Sequence, residues 1–184
     1  HCRLLLDLDR GRRLAFCNPR KFGRAWLVAD PEEVLGALGP EPLDDAFTAS
    51  RFIAALSGRR RRVKPLLLDQ TFLAGLGNIY TDEALHRARI HPLAIAAELT
   101  PGEGRALWRS IRALLREAIR HNGTTFDEGY GRGEYFDRLR VYQRTGRPCL
   151  ACGTPIARAL VGQRGTHFCP ACQPRPRGKR RPKP

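Results

Sequence analysis

Cys149-Leu150-Ala151-Cys152 and Cys169-Pro170-Ala171-Cys172 are two Cys-x-x-Cys pairs within one short stretch. Each pair can set two thiolates on one knuckle turn, and four thiolates satisfy tetrahedral Zn²⁺. Between them, residues 153–156, 159–161 and 166–168 read as extended, with Gly162-Gln163-Arg164-Gly165 as a tight turn. That pattern predicts a β-hairpin zinc finger. So small a unit buries too little apolar surface to fold without its metal. Two structural disulfides are the alternative, but such frameworks belong to secreted domains, and the sequence carries no signal-like apolar segment. A redox Cys-x-x-Cys would need a strand–helix setting that this stretch lacks. Cys2 and Cys17 stand apart from the quartet and are expected to be buried or half-buried free thiols.

The chain has 184 residues and a formal net charge of +15. That excess calls for a polyanionic partner, nucleic acid before an anionic membrane surface. No run approaches the ~18 apolar residues of a membrane-spanning helix. Zinc-type cysteine spacing predicts a reducing, cytoplasmic setting. The cations are concentrated in places. Arg59-Arg60-Arg61-Arg62-Val63-Lys64 reads as a phosphate-contacting run rather than a merely solvated face. Asn18-Pro19-Arg20-Lys21-Phe22-Gly23 sets cations beside a ring on a turn, which suits phosphate contact with a wedge into a base stack; a solvated turn with Phe22 on the core is the equal alternative. The segment 173–184, rich in Lys, Arg and Pro, is expected to be a disordered basic tail.

The elements that must position these residues form an α+β chain. Residues 3–9 and 13–17 read as strands about Asp9-Arg10-Gly11, and 23–28 as a third. Asp30-Pro31 opens a short helix, and Gly39-Pro40-Glu41-Pro42 marks a domain boundary. Asp44 or Asp45 is expected to cap a helix that buries Phe47, Phe52, Ile53 and Leu56 and ends at Gly58. Residues 65–73 and 79–88 read as two helices about the glycine turn Ala74-Gly75-Leu76-Gly77-Asn78. Its backbone N–H groups, with Asn78 at the second helix's start, could grip a phosphate; a plain helical hairpin is the alternative. Thr100-Pro101-Gly102-Glu103 is a capping box for a long helix running to His121-Asn122-Gly123. Leu107, Ile111, Leu114, Leu115, Ala118 and Ile119 make its apolar stripe, with its arginines largely off that stripe. His86, His91 and His121 share no ligand spacing and read as structural; Trp108 reads as a core or half-buried aromatic.

Taken together these segments resemble the formamidopyrimidine-DNA glycosylases, bacterial base-excision-repair enzymes for oxidised purines. The likeness rests on the Asn18–Gly23 turn, Leu38-Gly39-Pro40-Glu41-Pro42-Leu43, and Leu68-Asp69-Gln70 through Asn78-Ile79-Tyr80-Thr81-Asp82-Glu83-Ala84-Leu85. It continues through Ile90-His91-Pro92-Leu93, Gly123-Thr124-Thr125 and the cysteine finger. The related endonuclease VIII branch differs in its turn and finger sequences. The resemblance implies four parts. Residues 1–40 would be the end of a β-sandwich catalytic domain, and 41–140 a helix–two-turn–helix DNA-binding domain. Residues 141–173 would be the zinc finger and 174–184 the basic tail.

The resemblance also implies roles. Asn78 and Arg164 would bind the phosphates flanking the lesion, with Arg164 the acid of the later strand-cleavage step. Arg20 would face the orphaned partner base, and Phe22 would wedge the stack. His1 and Arg60 would contact DNA, and Lys64 would lie near the lesion pocket. The partner would be double-stranded damaged DNA, bound by a monomer associated with the bacterial nucleoid, and the cofactor one structural zinc ion. Two departures stand out. The family's catalytic amine is an N-terminal proline beside a glutamate, with a lysine further along, and none of these is found here; position 1 is His. The segment 126–134 is shorter than the family's loop over the flipped base, which bears on 8-oxoguanine recognition. The expected activity is glycosylase and AP lyase with β,δ-elimination, this chain carrying the DNA- and zinc-binding part. A non-catalytic zinc-dependent DNA-binding module is the alternative.

Overall fold

The computed structural model describes residues 2–18, 21–124, 126–127 and 131–176. His1, Arg20 and the tail from 177 onward therefore lie outside the described residues. The chain divides into two units, His1–Ala37 and Leu38–Pro184.

The first unit holds an antiparallel hairpin of β1 (Cys2–Asp7) and β2 (Arg13–Cys17), with Leu6 opposite Leu14 and Cys2 opposite Cys17. Arg10 and Gly11 take positive φ in the connecting turn. Leu4, Leu5, Leu6 and Leu14 are exposed, so neither face of the ribbon is covered. Both thiols are exposed as well, against the expectation that Cys2 and Cys17 are buried, because this unit has no core among the described residues. The third strand expected at 23–28 is not formed; among the described residues these carry no regular secondary structure and pair with no strand. Helix α1 (Glu32–Leu35) starts where Asp30 Oδ1 accepts the Glu32 N–H at 2.9 Å.

The second unit is built on helices. Helix α2 (Ala49–Ser57) is capped by Thr48, whose side chain accepts from the Arg51 N–H, and not by Asp44 or Asp45. Phe47 precedes that cap and packs edge-on against Phe52, with ring centroids 5.4 Å apart. This is a hydrophobic staple, and it explains why Phe47 lies outside the helix it helps to fix. Helix α3 (Val63–Leu67) begins earlier and ends sooner than expected. Asp69 closes its end by accepting from the Thr71 N–H and hydroxyl. Helix α4 (Asn78–Arg87) follows the glycine turn, and α5 (Pro101–Arg120) starts with the reciprocal Thr100–Glu103 capping box.

Phe52, Leu56, Val63, Leu66, Leu67, Leu73, Leu76, Leu85, Leu107 and Ile111 form the main core between these helices. One expectation for α5 fails: Ile119 is exposed. The arginines of α5 lie on its exposed side as expected, except Arg112, which is buried. Arg112 donates to the carbonyls of Pro42 and Asp44 at 2.7 and 2.6 Å and lies over the Trp108 ring. It thus ties the entry of the unit to its longest helix. Gly39 meets the same core: a Cβ there would lie 2.6 Å from the Phe72 carbonyl carbon.

After α5 the described part of the short segment forms a two-residue ladder, β3 (Phe126–Asp127) with β4 (Gly131–Arg132). The finger is the hairpin β5 (Ala157–Val161) and β6 (Arg164–Phe168), paired Val161 to Arg164. Gly162 and Gln163 both have positive φ, 56° and 60°, which a two-residue turn of this hand requires. The finger thus has the two short strands expected, and ahead of them Pro155 makes a single bridge to Pro148.

Candidate nucleic-acid interface and metal centre

The glycine turn, α4 and the finger loop meet at one carbonyl. Gly165 O accepts from Asn78 Nδ2 at 3.1 Å and from Lys64 Nζ at 3.2 Å. Asn78 is the first residue of α4, with Gly77 as its cap, so it is not itself the cap. Arg164 is the neighbour of that carbonyl and is exposed at the mouth of the finger turn. The structure therefore brings Asn78 and Arg164 together from positions far apart in sequence. The amides of α4's first turn have no intrahelical partner, which leaves a positive helix end beside Arg164.

Lys64 stands differently from the expectation. Its side chain is fully buried, and its ammonium bonds Asp82 Oδ1 at 2.6 Å as well as Gly165 O. Burial pulls its pKa below the ordinary lysine value, and the Asp82 carboxylate pulls it back up. A buried cation already spent on two acceptors cannot also reach a phosphate. Lys64 is a strut of the interface and not a contact on it. Asp82 completes the strut by accepting the His167 N–H at 2.9 Å. Gly162 closes the other side: a Cβ there would lie 2.9 Å from Pro65 Cγ.

The other cations sort by partner. Arg61 pairs with Asp69 at 2.7 Å and, with Thr71, holds that carboxyl down to about 2. Arg60 is exposed on the loop before α3. Its neighbours Arg59 and Arg61 accept at their carbonyls from Ala97 and Ala96, which holds the loop against the chain beyond α4. Phe22 is 82% exposed and belongs to the first unit.

Helix α4 also carries the finger. Glu83 accepts three successive backbone N–H groups, from Arg140, Val141 and Tyr142, at 2.9, 2.8 and 2.9 Å. Burial pushes its carboxyl above the ordinary range, while those three donors favour the ionised form. Gln173, fully buried, donates to Ile90 O at 2.8 Å and accepts from the Cys169 N–H at 2.9 Å. Sequence reasoning misses Asp82, Glu83 and Gln173 as functional supports. A run of two carboxylates on a predicted helix is the signal that could have drawn attention.

Within the finger the ligand atoms of Cys149, Cys152, Cys169 and Cys172 all lie within 4.8 Å of one another. Val141 and Ile156 pack beneath the buried pair, Cys149 and Cys169. Ala151 N–H points to Cys149 Sγ at 3.5 Å, and Cys172 N–H to Cys169 Sγ at 3.4 Å. Four sulfurs with knuckle amides aimed at them are the donor set of a closed structural zinc site. Among the described residues no helix is long and apolar enough to cross a membrane.

Comparison with known proteins agrees with this geometry. The formamidopyrimidine-DNA glycosylase H2TH domain matches residues 38–128, and the zinc finger found in FPG and IleRS matches 146–175. The chain is 51% identical over 179 residues to the formamidopyrimidine-DNA glycosylase of Roseiflexus sp. (strain RS-1), covering 94% of this chain and 66% of that protein. The corresponding figures for the Pelotomaculum thermopropionicum enzyme are 49% over 181 residues, 94% and 66%. The MutM (Fpg) protein of Thermus thermophilus superposes with a TM-score of 0.84 at 45% identity, over 94% of this chain and 68% of that one. The Lactococcus lactis Fpg bound to DNA containing an abasic site gives 0.73 at 38%, over 79% and 55%. The chain thus spans 66% of the length of the first two of these relatives. The cysteine quartet is the structural zinc site of that finger. On motif, on sequence identity and on fold, the chain belongs to the formamidopyrimidine-DNA glycosylase family.

Proposed function

We propose that this chain grips damaged double-stranded DNA for a base-excision-repair glycosylase and AP lyase acting on oxidised purines. The observation that carries the reading is the junction at Gly165 O, where Asn78 and the Arg164 loop are fastened by the Lys64–Asp82 pair. Two donors of different type, one neutral and one cationic, then face the same stretch of backbone beside the positive end of α4. Phosphates fit such a pair, and phosphate contacts set register without reading sequence.

A base inside a duplex is out of reach of any active site, so it must be extruded at a cost of a few kcal/mol. Asn78 and Arg164 hold the pinched backbone on either side of the extruded nucleotide. Phe22 fills the stack, Arg20 faces the orphaned base, and His1 and Arg60 add backbone contacts. By family resemblance Arg164 also serves as the acid of the strand-cleavage step, completing β,δ-elimination. Residues 1–40 belong to the catalytic sandwich, 41–140 to the helix–two-turn–helix domain, 141–173 to the finger and 174–184 to a basic tail. The protein works as a monomer in the bacterial cytoplasm, on the nucleoid.

Binding to a duplex with a single abasic site, measured across a salt series, tests this. Arg164→Ala should weaken binding and flatten the log–log salt slope by about 0.9, one cation's worth of released counterions. Asn78→Ala should weaken binding with the slope unchanged, because an amide displaces no counterion. Arg164→Ala leaving both affinity and slope intact would take the finger out of the DNA interface.

A further inference from the structure

His86 faces the metal centre from outside the finger. Its Nε2 lies 3.5 Å from Cys149 Sγ, and both residues are buried. We propose that His86 is a positioning residue of the zinc site, donating Nε2–H to the Cys149 thiolate and so fixing the direction and charge of that ligand.

The proton bookkeeping assigns the donor. A zinc-bound thiolate carries no hydrogen, so only the ring can donate in this contact. The opposite tautomer would aim a lone pair at an anion and bury an N–H at Nδ1, which has no partner. The Nε2–H form leaves there only an unfilled acceptor. Four thiolates on Zn²⁺ leave the centre anionic, and N–H···S bonds spread that charge. Cys152 is exposed and can draw on water, whereas Cys149 is 3% exposed and depends on protein donors. Ala151 N–H is one of these, and His86 supplies the other. The ring comes from the helix whose first residue is Asn78, so the contact also ties zinc coordination to the DNA-facing helix. The inference rests on the zinc site alone and stands whether or not the protein is a glycosylase.

Metal affinity and spectroscopy of the full chain test it. His86→Phe keeps the ring volume and removes the donor; His86→Gln keeps an N–H near the Nε2 position. The phenylalanine variant should bind Zn²⁺ about 10–100-fold more weakly in chelator competition, the usual effect of losing an outer-sphere partner. Its cobalt-loaded form should show the sulfur-to-metal charge-transfer band moved to lower energy, because an unbonded thiolate gives up its electron more readily. The glutamine variant should restore both. Unchanged affinity and band position in His86→Phe would overturn the proposal, and so would equal losses in both variants, which mark packing alone. The unsubstituted chain gives a second check that no folding defect can confound. With cadmium-113 in the site, scalar coupling between the metal and the His86 Nε2 proton is expected, and its absence would overturn the assignment.

Discussion

A buried ion pair illustrates how a residue's chemistry depends on its neighbours. Lys64 and Asp82 are both fully buried and 2.6 Å apart. Removing one partner strands the other, so Lys64→Ala should cost about 3–5 kcal/mol in urea unfolding, whereas replacing the pair with apolar residues of similar volume should cost much less. A double variant that lost as much as the two single variants added together would show that the pair is not coupled. A surface carboxylate behaves differently. Asp69 is held down to about 2, first by its hydrogen bond with Arg61 and then by Thr71. Its folded value is depressed, so its contribution is complete above its ordinary value of 3.8 and is lost as pH falls toward about 2. The cost of Asp69→Asn should therefore be flat between about pH 5 and about pH 8, measured by urea melts at both ends. A cost that changed across that window would point to a different titrating partner.

At the scale of elements, local signals are legible in the sequence and long-range ones are not. The Thr100 capping box, the paired Cys-x-x-Cys motifs and the glycine turn before Asn78 are written in consecutive residues, and each appears where its spacing places it. Phe47 reads as a helix residue because its apolar side chain fits the period, yet Thr48 supplies the cap and Phe47 the staple. The strand expected at 23–28 has β-type composition but no partner ladder, and a strand exists only with one. Arg112 and Lys64 look like surface cations because nothing local says what a distant carbonyl or carboxylate will offer them. Arg20 and His1 lie outside the described residues. The docking of the finger belongs to this hidden class, since Glu83 serves three amides far along the chain. Glu83→Ala would leave the buried Val141 N–H unpaired at about 1–3 kcal/mol and strip the partner from the less buried N–H groups of Arg140 and Tyr142, which should loosen the finger. Hydrogen exchange at residues 140–142 should rise sharply in that variant while α5 stays protected. Unchanged exchange there would mean that zinc alone holds the segment.

For the whole molecule, gripping and cutting should separate. Asn78, Arg164 and the helix end at α4 lie in one unit with the zinc finger, and that unit has its own core. It should therefore bind an abasic-site duplex whenever zinc is in place, and lose that binding when a chelator unfolds the hairpin. Cutting asks for something else, an unprotonated amine held against the sugar C1′. Among the described residues of this unit the lysine is Lys64, and although burial lowers its pKa, its nitrogen is enclosed between Asp82 and Gly165 O. An amine with no exposed surface cannot attack a sugar, whatever its protonation. Lys64 should therefore form no covalent adduct with the abasic site on borohydride reduction. Efficient trapping that Lys64→Ala abolished would sink this reading. Lys64 would then be a nucleophile that opens to the DNA, and its place as a strut would have to be given up.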